Sequence, residues 1–491
     1  MPLFRRRTRL LALVLLALGL SFAGSTSAAP ARKPSIVLIL TDDEDLASHR
    51  VMKKTKTLLE DQGVVFTNYF VSYSFCCPSR ATIMRGQYPH NHRIEGNEWP
   101  TGGYEKFRAM GTESSTIATW LDGAGYHTAF FGKLMNGYEP EKHEPLPGWD
   151  EWYGVGGKFA NFNYTLNENG RIKAYGQKPE DHLTDVLARK AAATIRKAGP
   201  DEPLFLYIAP YDPHSPATPA PRYAKAYEDE PLPRPPSFDE ADVSDKPSYV
   251  RDLPPLEPWQ KEALTAHHRD RLRALRAVDD MVETVVEALR DVGRLDDTYV
   301  VYSSDNGFHM GQHRLFVGKT SAYEEDIHVP LIVRGPGVPK GVRIGQMVLN
   351  NDLAPTFAEI GGATAPGFVD GRSFLPLLAG RDVPWRKSFL LERREMETHE
   401  ISGKAVFDAI RTERYTYIEY GTGERELYDL AHDPWQLDNR AETADPALLQ
   451  ALATRLAELR NCAATNCREL EDRSVEPTTM PVAASEGATK G

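Results

Sequence analysis

The chain is built on continuous apolar runs separated by amphipathic ones. Ser35 to Leu40 reads Ser-Ile-Val-Leu-Ile-Leu, a β-branched and leucine stretch of buried-strand length, and Val64 to Val71, His127 to Gly132, Pro203 to Ala209, Thr298 to Ser303 and Val329 to Val333 repeat the pattern. Helical stretches are predicted between them, near Val51 to Leu59 and over Thr116 to Leu121, Leu183 to Lys197, Glu262 to Val292 and Asp352 to Ile360. This alternation predicts an α/β fold, a large, mixed and mostly parallel sheet sandwiched by helices, over residues 34–380. Between Pro213 and Pro258 prolines and acids crowd together, which predicts a long surface excursion without regular structure.

After about Arg381 the pattern changes. Ser388 to Glu392, Ala405 to Ile410, Tyr415 to Tyr420 and Glu426 to Leu430 read as short strands joined by turns, and Pro446 to Arg460 as a closing helix. Residues 381–470 are therefore expected to form a smaller α+β subdomain with an antiparallel sheet, followed by a disordered tail over 471–491.

The N-terminus carries Arg5, Arg6, Arg7 and Arg9, an apolar run from Leu10 to Phe22, and small residues through Ala29. That is the pattern of a signal peptide, expected over residues 1–28; the run falls short of the roughly 20 residues of a spanning helix. The product is then secreted, with no membrane association after cleavage. Removing four arginines and no acid takes the formal charge from −11 to −15. Such an acidic balance argues against a nucleic-acid partner, which needs a basic face. It also provides no general attraction for an anionic substrate.

Export makes the four cysteines informative. Cys462 and Cys467, close together in a polar stretch, are expected to form a local disulfide. Cys76 and Cys77 are adjacent, a spacing at which a mutual disulfide is strained, and need another explanation.

In open parallel sheets the ligand crevice lies beyond the carboxyl ends of the strands. The first strand runs into Asp42-Asp43 and a later one into Asp305-Asn306. Singly these read as a helix cap and an Asp-Asn-Gly turn; together they are four hard oxygen ligands suited to one calcium or magnesium ion rather than zinc. Cys76-Cys77-Pro78-Ser79-Arg80 suits a helix start whose amides face an anion, with Arg80 one turn in.

The run Cys76-Cys77-Pro78-Ser79-Arg80-Ala81-Thr82-Ile83-Met84-Arg85-Gly86 resembles the signature of the type I sulfatases, in which the first cysteine is oxidised to formylglycine (3-oxoalanine) by a separate formylglycine-generating enzyme. The resemblance spans about Pro34 to Asn439 and implies the alkaline-phosphatase-like sulfatase fold and a sulfuric ester hydrolase. It implies that the aldehyde hydrate at position 76 attacks sulfur with one hydroxyl and releases sulfate when the other loses its proton. Asp42, Asp43, Asp305 and Asn306 match the family's calcium ligands, with an oxygen of the modified Cys76 completing a site for one Ca2+. Arg80 and Lys133 match cations that hold the sulfate and the nucleophile. His214 and Lys319 match groups near the sulfate and the bridging oxygen, either of which can protonate the leaving alcohol.

Many sulfatases carry a histidine two residues after the matching lysine, where this chain has Met135. The base for the second hydroxyl is then expected to be His309, with His313 behind it. The same departure, with Tyr88-Pro89-His90-Asn91-His92, Asn161 to Leu166 and Asp305 to Gln312, is similar to the N-acetylglucosamine-6-sulfatases and the extracellular heparan endosulfatases. The resemblance thus implies a sulfated small molecule or glycan as substrate, such as an amino sugar or an aryl sulfate. Two further readings stand beside it: a phosphonate or phosphate ester hydrolase or metal-dependent phosphodiesterase of the same fold, and a non-catalytic glycan-binding protein with Cys76 unmodified.

Overall fold

Strand β1 (Ser35–Thr41) is buried on both faces, which is why its sequence does not alternate. Ile36, Leu38 and Leu40 point into one apolar layer, with Cys77, Ala81 and Phe357, while Val37 and Ile39 point into the other, with Leu187, Leu275 and Val282. The computed structural model describes residues 32–156, 160–394 and 406–475, so the expected signal peptide and most of the expected tail lie outside it.

The remaining strands are β2 (Val64–Phe66), β3 (Tyr69–Phe70), β4 (His127–Lys133), β5 (Glu151–Val155), β6 (Thr165–Glu168), β7 (Arg171–Ala174), β8 (Leu204–Ala209), β9 (Thr298–Ser304), β10 (Leu331–Arg334), β11 (Val342–Ile344) and β12 (Val348–Leu349). Ten form one sheet in the order β11-β2-β10-β9-β1-β8-β4-β5-β6-β7. Its centre is parallel, from β9 through β1, β8 and β4 to β5. Helices α1 (Cys76–Arg85), α2 (Ile117–Gly123) and α5 (Leu353–Gly361) cover one face, and α3 (Leu183–Lys197) and α4 (Pro258–Asp291) the other. The predicted mostly parallel sandwich is what forms.

Several details depart from the sequence reading. Val64 to Val71 is two strands, because the chain leaves the main sheet at Thr67 and Asn68 and β3 pairs with β12 instead. Strand β10 begins after Pro330, which has no N–H to donate, and runs antiparallel to β9. The helix expected over Val51 to Leu59 is a series of short turns, Ser48–Val51, Lys53–Thr55 and Lys56–Glu60, restarted where the buried Asp279 carboxylate accepts Lys54 N (3.0 Å) and Thr55 N (2.8 Å). Strands β5 to β7 escaped the reading: polar residues interrupt β6 and β7, and β5 is a short run broken by Gly154. The Pro213 to Pro258 excursion holds two short turns, Pro221–Tyr223 and Ser248–Arg251, and is not wholly superficial: Ser237, Glu240, Lys246 and Val250 are buried.

Strands β13 (Ser388–Arg393), β14 (Phe407–Thr412), β15 (Tyr415–Tyr420) and β16 (Arg425–Asp429) form an antiparallel sheet, followed by α6 (Pro446–Leu459) and α7 (Thr465–Asp472). Ala405, expected at the start of β14, lies outside the described residues. Phe389, Tyr417 and Leu427 share one apolar cluster with Ile36 and Leu38, so the C-terminal sheet has no core of its own. Glu471 and Asp472, expected in the tail, instead close α7, and Glu471 is fully buried. Cys462 and Cys467 form a disulfide between α6 and α7.

His90 joins the two parts. Its Nδ1 lies 3.0 Å from Glu392 Oε1 and its Nε2 2.9 Å from the Cys462 carbonyl, so both ring nitrogens face acceptors and both need protons. Burial opposes the charge, but Glu392 outweighs it and raises the pKa to about 9. A folded pKa above the unfolded value of about 6.5 means a stabilisation fully present below that pH and lost as pH rises through 9. In chemical denaturation His90 is expected to contribute about 2 kcal/mol to a fall in stability between pH 6.5 and 9; His90→Gln is expected to remove that share and leave the one from His49, which, against burial, Glu44 and Glu60 likewise raise to about 9.

Candidate active site

The site is assembled by register. Thr41 of β1 pairs with Ser304 of β9, so Asp42-Asp43 and Asp305-Asn306 leave adjacent parallel strands side by side although more than 260 residues separate them. On the other side of β1, β8 leads to Asp212 and His214, and β4 ends at Lys133. Four neighbouring parallel strands thus deliver their carboxyl ends to one crevice.

Asp42, Asp43, Asp305 and Asn306 are all buried. Asp43 has φ 67°, a left-handed conformation that Asp tolerates better than most residues, and this turns its carboxylate back toward β9. Its amide donates to Asp305 Oδ1 at 3.1 Å, and Asn306 Nδ2 donates to Asp43 Oδ1 at 2.7 Å. Arg271, fully buried on α4, donates to the Asp43 carbonyl at 2.5 Å and pairs with Asp45 at 3.0 Å, bracing the turn from behind.

Cys76 opens α1. Phe75, the residue before it, is extended and offers no side-chain cap; Asn97 Oδ1 takes that role from outside, accepting Cys77 N at 2.8 Å. Gly86 ends the helix at φ 68°, where a Cβ would approach Val369 and Pro355. Cys76 Sγ lies 3.6 Å from Asp42 Oδ1 and 2.9 Å from Lys319 Nζ. Lys319 also pairs with Asp43, and Lys133 Nζ donates to Asp42 Oδ2 at 2.6 Å. One turn into α1, Arg80 donates through Nε to Asp305 Oδ2 (2.8 Å) and through Nη1 to the Lys133 carbonyl (2.7 Å), while its Nη2 is buried without a hydrogen-bond partner. His214 Nε2 lies 3.6 Å from Asp43 Oδ2, and its Nδ1 is 2.7 Å from the Ser215 carbonyl.

The electrostatics follow from this crowding. Burial works to raise the Asp42 pKa, but the surrounding cations, Lys133 foremost, hold it well below the usual carboxylate range. Asp305 goes the other way, pushed up to about 7 by burial and by the charge of Asp42 despite Arg80. Asn306 Oδ1 is buried with no hydrogen-bond partner. Three buried carboxylates and an unsatisfied amide oxygen form a donor set that fits a hard divalent cation. Asp42, Asp43, Cys76 and His214 also bring ligand atoms within 4.8 Å of one another, so His214 stands closer to the acids than its separate role in the sequence reading suggested.

His309 is held differently. Its backbone pairs with Gly318, beside Lys319, and its Nδ1 lies 2.9 and 3.0 Å from the two oxygens of buried Asp326. Asp326 also accepts Ser321 N and Oγ, so it is fixed, and an Nδ1–H donated to it leaves Nε2 as the basic atom. His313 instead contacts Glu240 (2.7 Å) and stacks on Tyr323, outside the carboxylate cluster. Sequence reasoning missed Asn97, Arg271 and Asp326. Asp326 sits in a run of three acids with no spacing that ties it to His309, and Arg271 is one of several arginines on α4; only burial singles them out.

Comparison with known proteins fits this geometry. The family model described as Sulfatase matches residues 34–363, and that described as N-sulphoglucosamine sulphohydrolase, C-terminal, matches residues 311–462. The N-acetylglucosamine-6-sulfatase of Homo sapiens is 35% identical over 93% of this chain and 90% of its own length. The extracellular sulfatase SULF-1 homologue of Drosophila melanogaster is 37% identical over 76% of this chain and 34% of its own. A solved structure in complex with its substrate D-glucosamine-2-N,6-O-disulfate shares the fold at TM-score 0.75 and 23% identity, covering 90% of this chain and 99% of that one. The phosphonate monoester hydrolase of Agrobacterium radiobacter does so at 0.67 and 22%, covering 87% and 95%. With the family pattern running through every strand that feeds the crevice, the chain belongs to the sulfatase family and is a sulfuric ester hydrolase.

Proposed function

We propose that this sulfatase is exported and hydrolyses the sulfate monoester of a sugar such as N-acetylglucosamine 6-sulfate, or an aryl sulfate, with Cys76 converted to formylglycine and one Ca2+ held by Asp42, Asp43, Asp305 and Asn306. The observation that carries the reading is the place of Cys76: its Sγ lies 2.9 Å from Lys319 Nζ and 3.6 Å from Asp42 Oδ1, at the centre of the charged cluster, where burial pushes the unmodified thiol's pKa up. Conversion to an aldehyde, whose hydrate supplies a nucleophilic hydroxyl and a second one that allows sulfate to leave, gives that position a chemistry. The bound cation would supply charge stabilisation to the nucleophile and the sulfate.

The chain's own residues divide the remaining work. Arg80 Nη2, a buried donor without a hydrogen-bond partner, supplies a hydrogen bond to a sulfate oxygen, and Lys133 and Lys319 offset the anion's charge. His214 delivers a proton to the bridging oxygen as the alcohol leaves. His309, held by Asp326, takes the proton whose loss expels sulfate; its tether favours that role over a purely structural one. Export rests on the N-terminal pattern and on relatives named as extracellular sulfatases. Among the described residues no helix is long and apolar enough to cross a membrane.

The test is a substrate panel with metal control. Protein from a host competent for formylglycine formation is expected to release sulfate from N-acetylglucosamine 6-sulfate or an aryl sulfate. EGTA is expected to lower kcat/KM by at least about 100-fold and Ca2+ to restore it, with a matching rise in thermal midpoint. Turnover of phosphonate monoesters with no sulfate release, or activity indifferent to chelation, would count against the reading.

A further inference from the structure

A cavity of about 300 Å3 is lined by Lys133 together with Asn97, Glu98, Trp99, Glu105 and Asn136. That volume lies at the low end for small-molecule sites and suits one ring rather than a chain. Lys133 is its one cationic lining residue, and Glu98 and Glu105 are its acidic ones. Glu98 and Glu105 are exposed, and among the described residues neither enters an ion pair. Asn136 Oδ1, in the same wall, is buried without a hydrogen-bond partner. All three groups accept hydrogen bonds. Lys106, 6.0 Å from the Trp99 ring centre, does not line the cavity.

The wall is fixed relative to Cys76. Asn97 caps α1 through Cys77 N, and Asn136 N donates to Cys77 Sγ at 3.2 Å. The Glu98 loop closes on itself, with Glu95 N bonded to the Thr101 carbonyl (2.9 Å) and Gly102 N to the Glu98 carbonyl (2.6 Å). A Cβ on Gly102 would stand 1.5 Å from the Gly96 carbonyl oxygen, so the two strands of the loop meet only because that residue is glycine. A sulfate gripped beside Lys133 therefore leaves the rest of its ring within the same cavity as the Glu98 and Glu105 carboxylates.

We propose that this cavity selects the alcohol half of the ester by charge: it takes a monosulfated ring that is otherwise neutral or carries an amine, and it disfavours a second anionic group. The inference rests on the sugar-sulfate reading and specifies it. Glu98 and Glu105 repel a sulfamate or a neighbouring uronate and attract an ammonium, while Asn136 Oδ1 accepts from a hydroxyl or an amide N–H. An acidic rim also disfavours the interior of a polyanionic chain, which favours action on small fragments or chain ends.

Binding to the Cys76→Ala protein, measured by calorimetry, separates the inference from the chemistry. Glucosamine 6-sulfate is expected to bind at least about tenfold more tightly than N-sulfoglucosamine 6-sulfate at low ionic strength, with N-acetylglucosamine 6-sulfate between them. The gap is expected to shrink in salt, and to shrink several-fold in a protein that also carries Glu98→Gln and Glu105→Gln. Because each protein is read as a ratio between ligands, loss of folded material cancels. Equal affinities, no measurable binding of any of the three, or a gap that survives both substitutions would overturn the proposal. Wild-type enzyme that releases sulfate from the amine and the sulfamate equally well would also overturn it, while leaving the sugar-sulfate reading intact. Discrimination in binding without any turnover would support the charge selection and count against that reading.

Discussion

Cys76→Ala is expected to abolish sulfate release, a loss of at least about 1000-fold in kcat, while the protein remains folded. The substitution removes only the sulfur, or the aldehyde oxygen that replaces it, from a small buried side chain. Lys319 keeps Asp43, Lys133 keeps Asp42 and Arg80 keeps Asp305, so the charged cluster retains its pairings. The cost in stability is expected to stay within about 1 kcal/mol. Cys77→Ala makes the contrast. Cys77 Sγ accepts Asn136 N and packs in the apolar layer under the sheet, so its loss removes apolar packing, leaves a half-buried N–H without that partner and costs about 1–2 kcal/mol. Its effect on turnover is expected to be less than about tenfold. Peptide mass spectrometry across residue 76 completes the test: wild-type protein from a competent host is expected to carry an aldehyde there. Full activity with only free thiol at Cys76 would remove the basis for the proposed chemistry.

The difference between the two cysteines shows how far the sequence reaches. Strands β1, β8 and β9 were legible because burial on both faces leaves long runs without a polar break, and the residues just beyond them were legible because open sheets place ligands there. Register was not legible. Nothing in the spacing of Asp42 and Asp305 says that Thr41 faces Ser304, and the whole acid cluster depends on that pairing. The supports were hidden for a related reason: Asn97, Arg271 and Asp326 act by being buried against a backbone or a ring that tertiary structure brings to them. Strands β6 and β7 failed differently. Tyr153 pairs with Glu168 and Glu168 with Arg171, so polar residues are carried at the edge of the sheet, where they need not alternate with a core.

The boundary near Arg381 shows the same limit, and it leads to the largest effect expected on stability. Arg386 is buried between the two parts of the fold: it pairs with Asp352 just before α5 (2.9 Å from Nη2 to Oδ1) and with Glu471 on α7 (3.0 Å from Nε to Oε2). Glu471 is also held by the Tyr88 hydroxyl (2.6 Å) and Arg372 (3.0 Å), and Asp352 accepts Leu349 N and Arg372 N. All the charged side chains of the Arg386 pairs are fully buried, so removing the arginine leaves the Asp352 carboxylate without its ion-pair partner and Glu471 with Arg372 alone, both out of water. Arg386→Met is expected to destabilise the protein by about 3–5 kcal/mol in chemical denaturation. The penalty belongs to the stranded charges rather than to a missing attraction. Adding Glu471→Gln to Arg386→Met is therefore expected to recover part of the loss, although Glu471→Gln alone destabilises. If the double variant is as unstable as the sum of the singles, the pairs contribute independently and the argument fails. The same network bears on the site, because Tyr88 follows Gly86, whose carbonyl accepts Asp370 N and Gly371 N at the foot of α1. Loosening α7 is thus expected to lower the temperature at which activity is lost in step with unfolding, with kcat below that temperature unchanged.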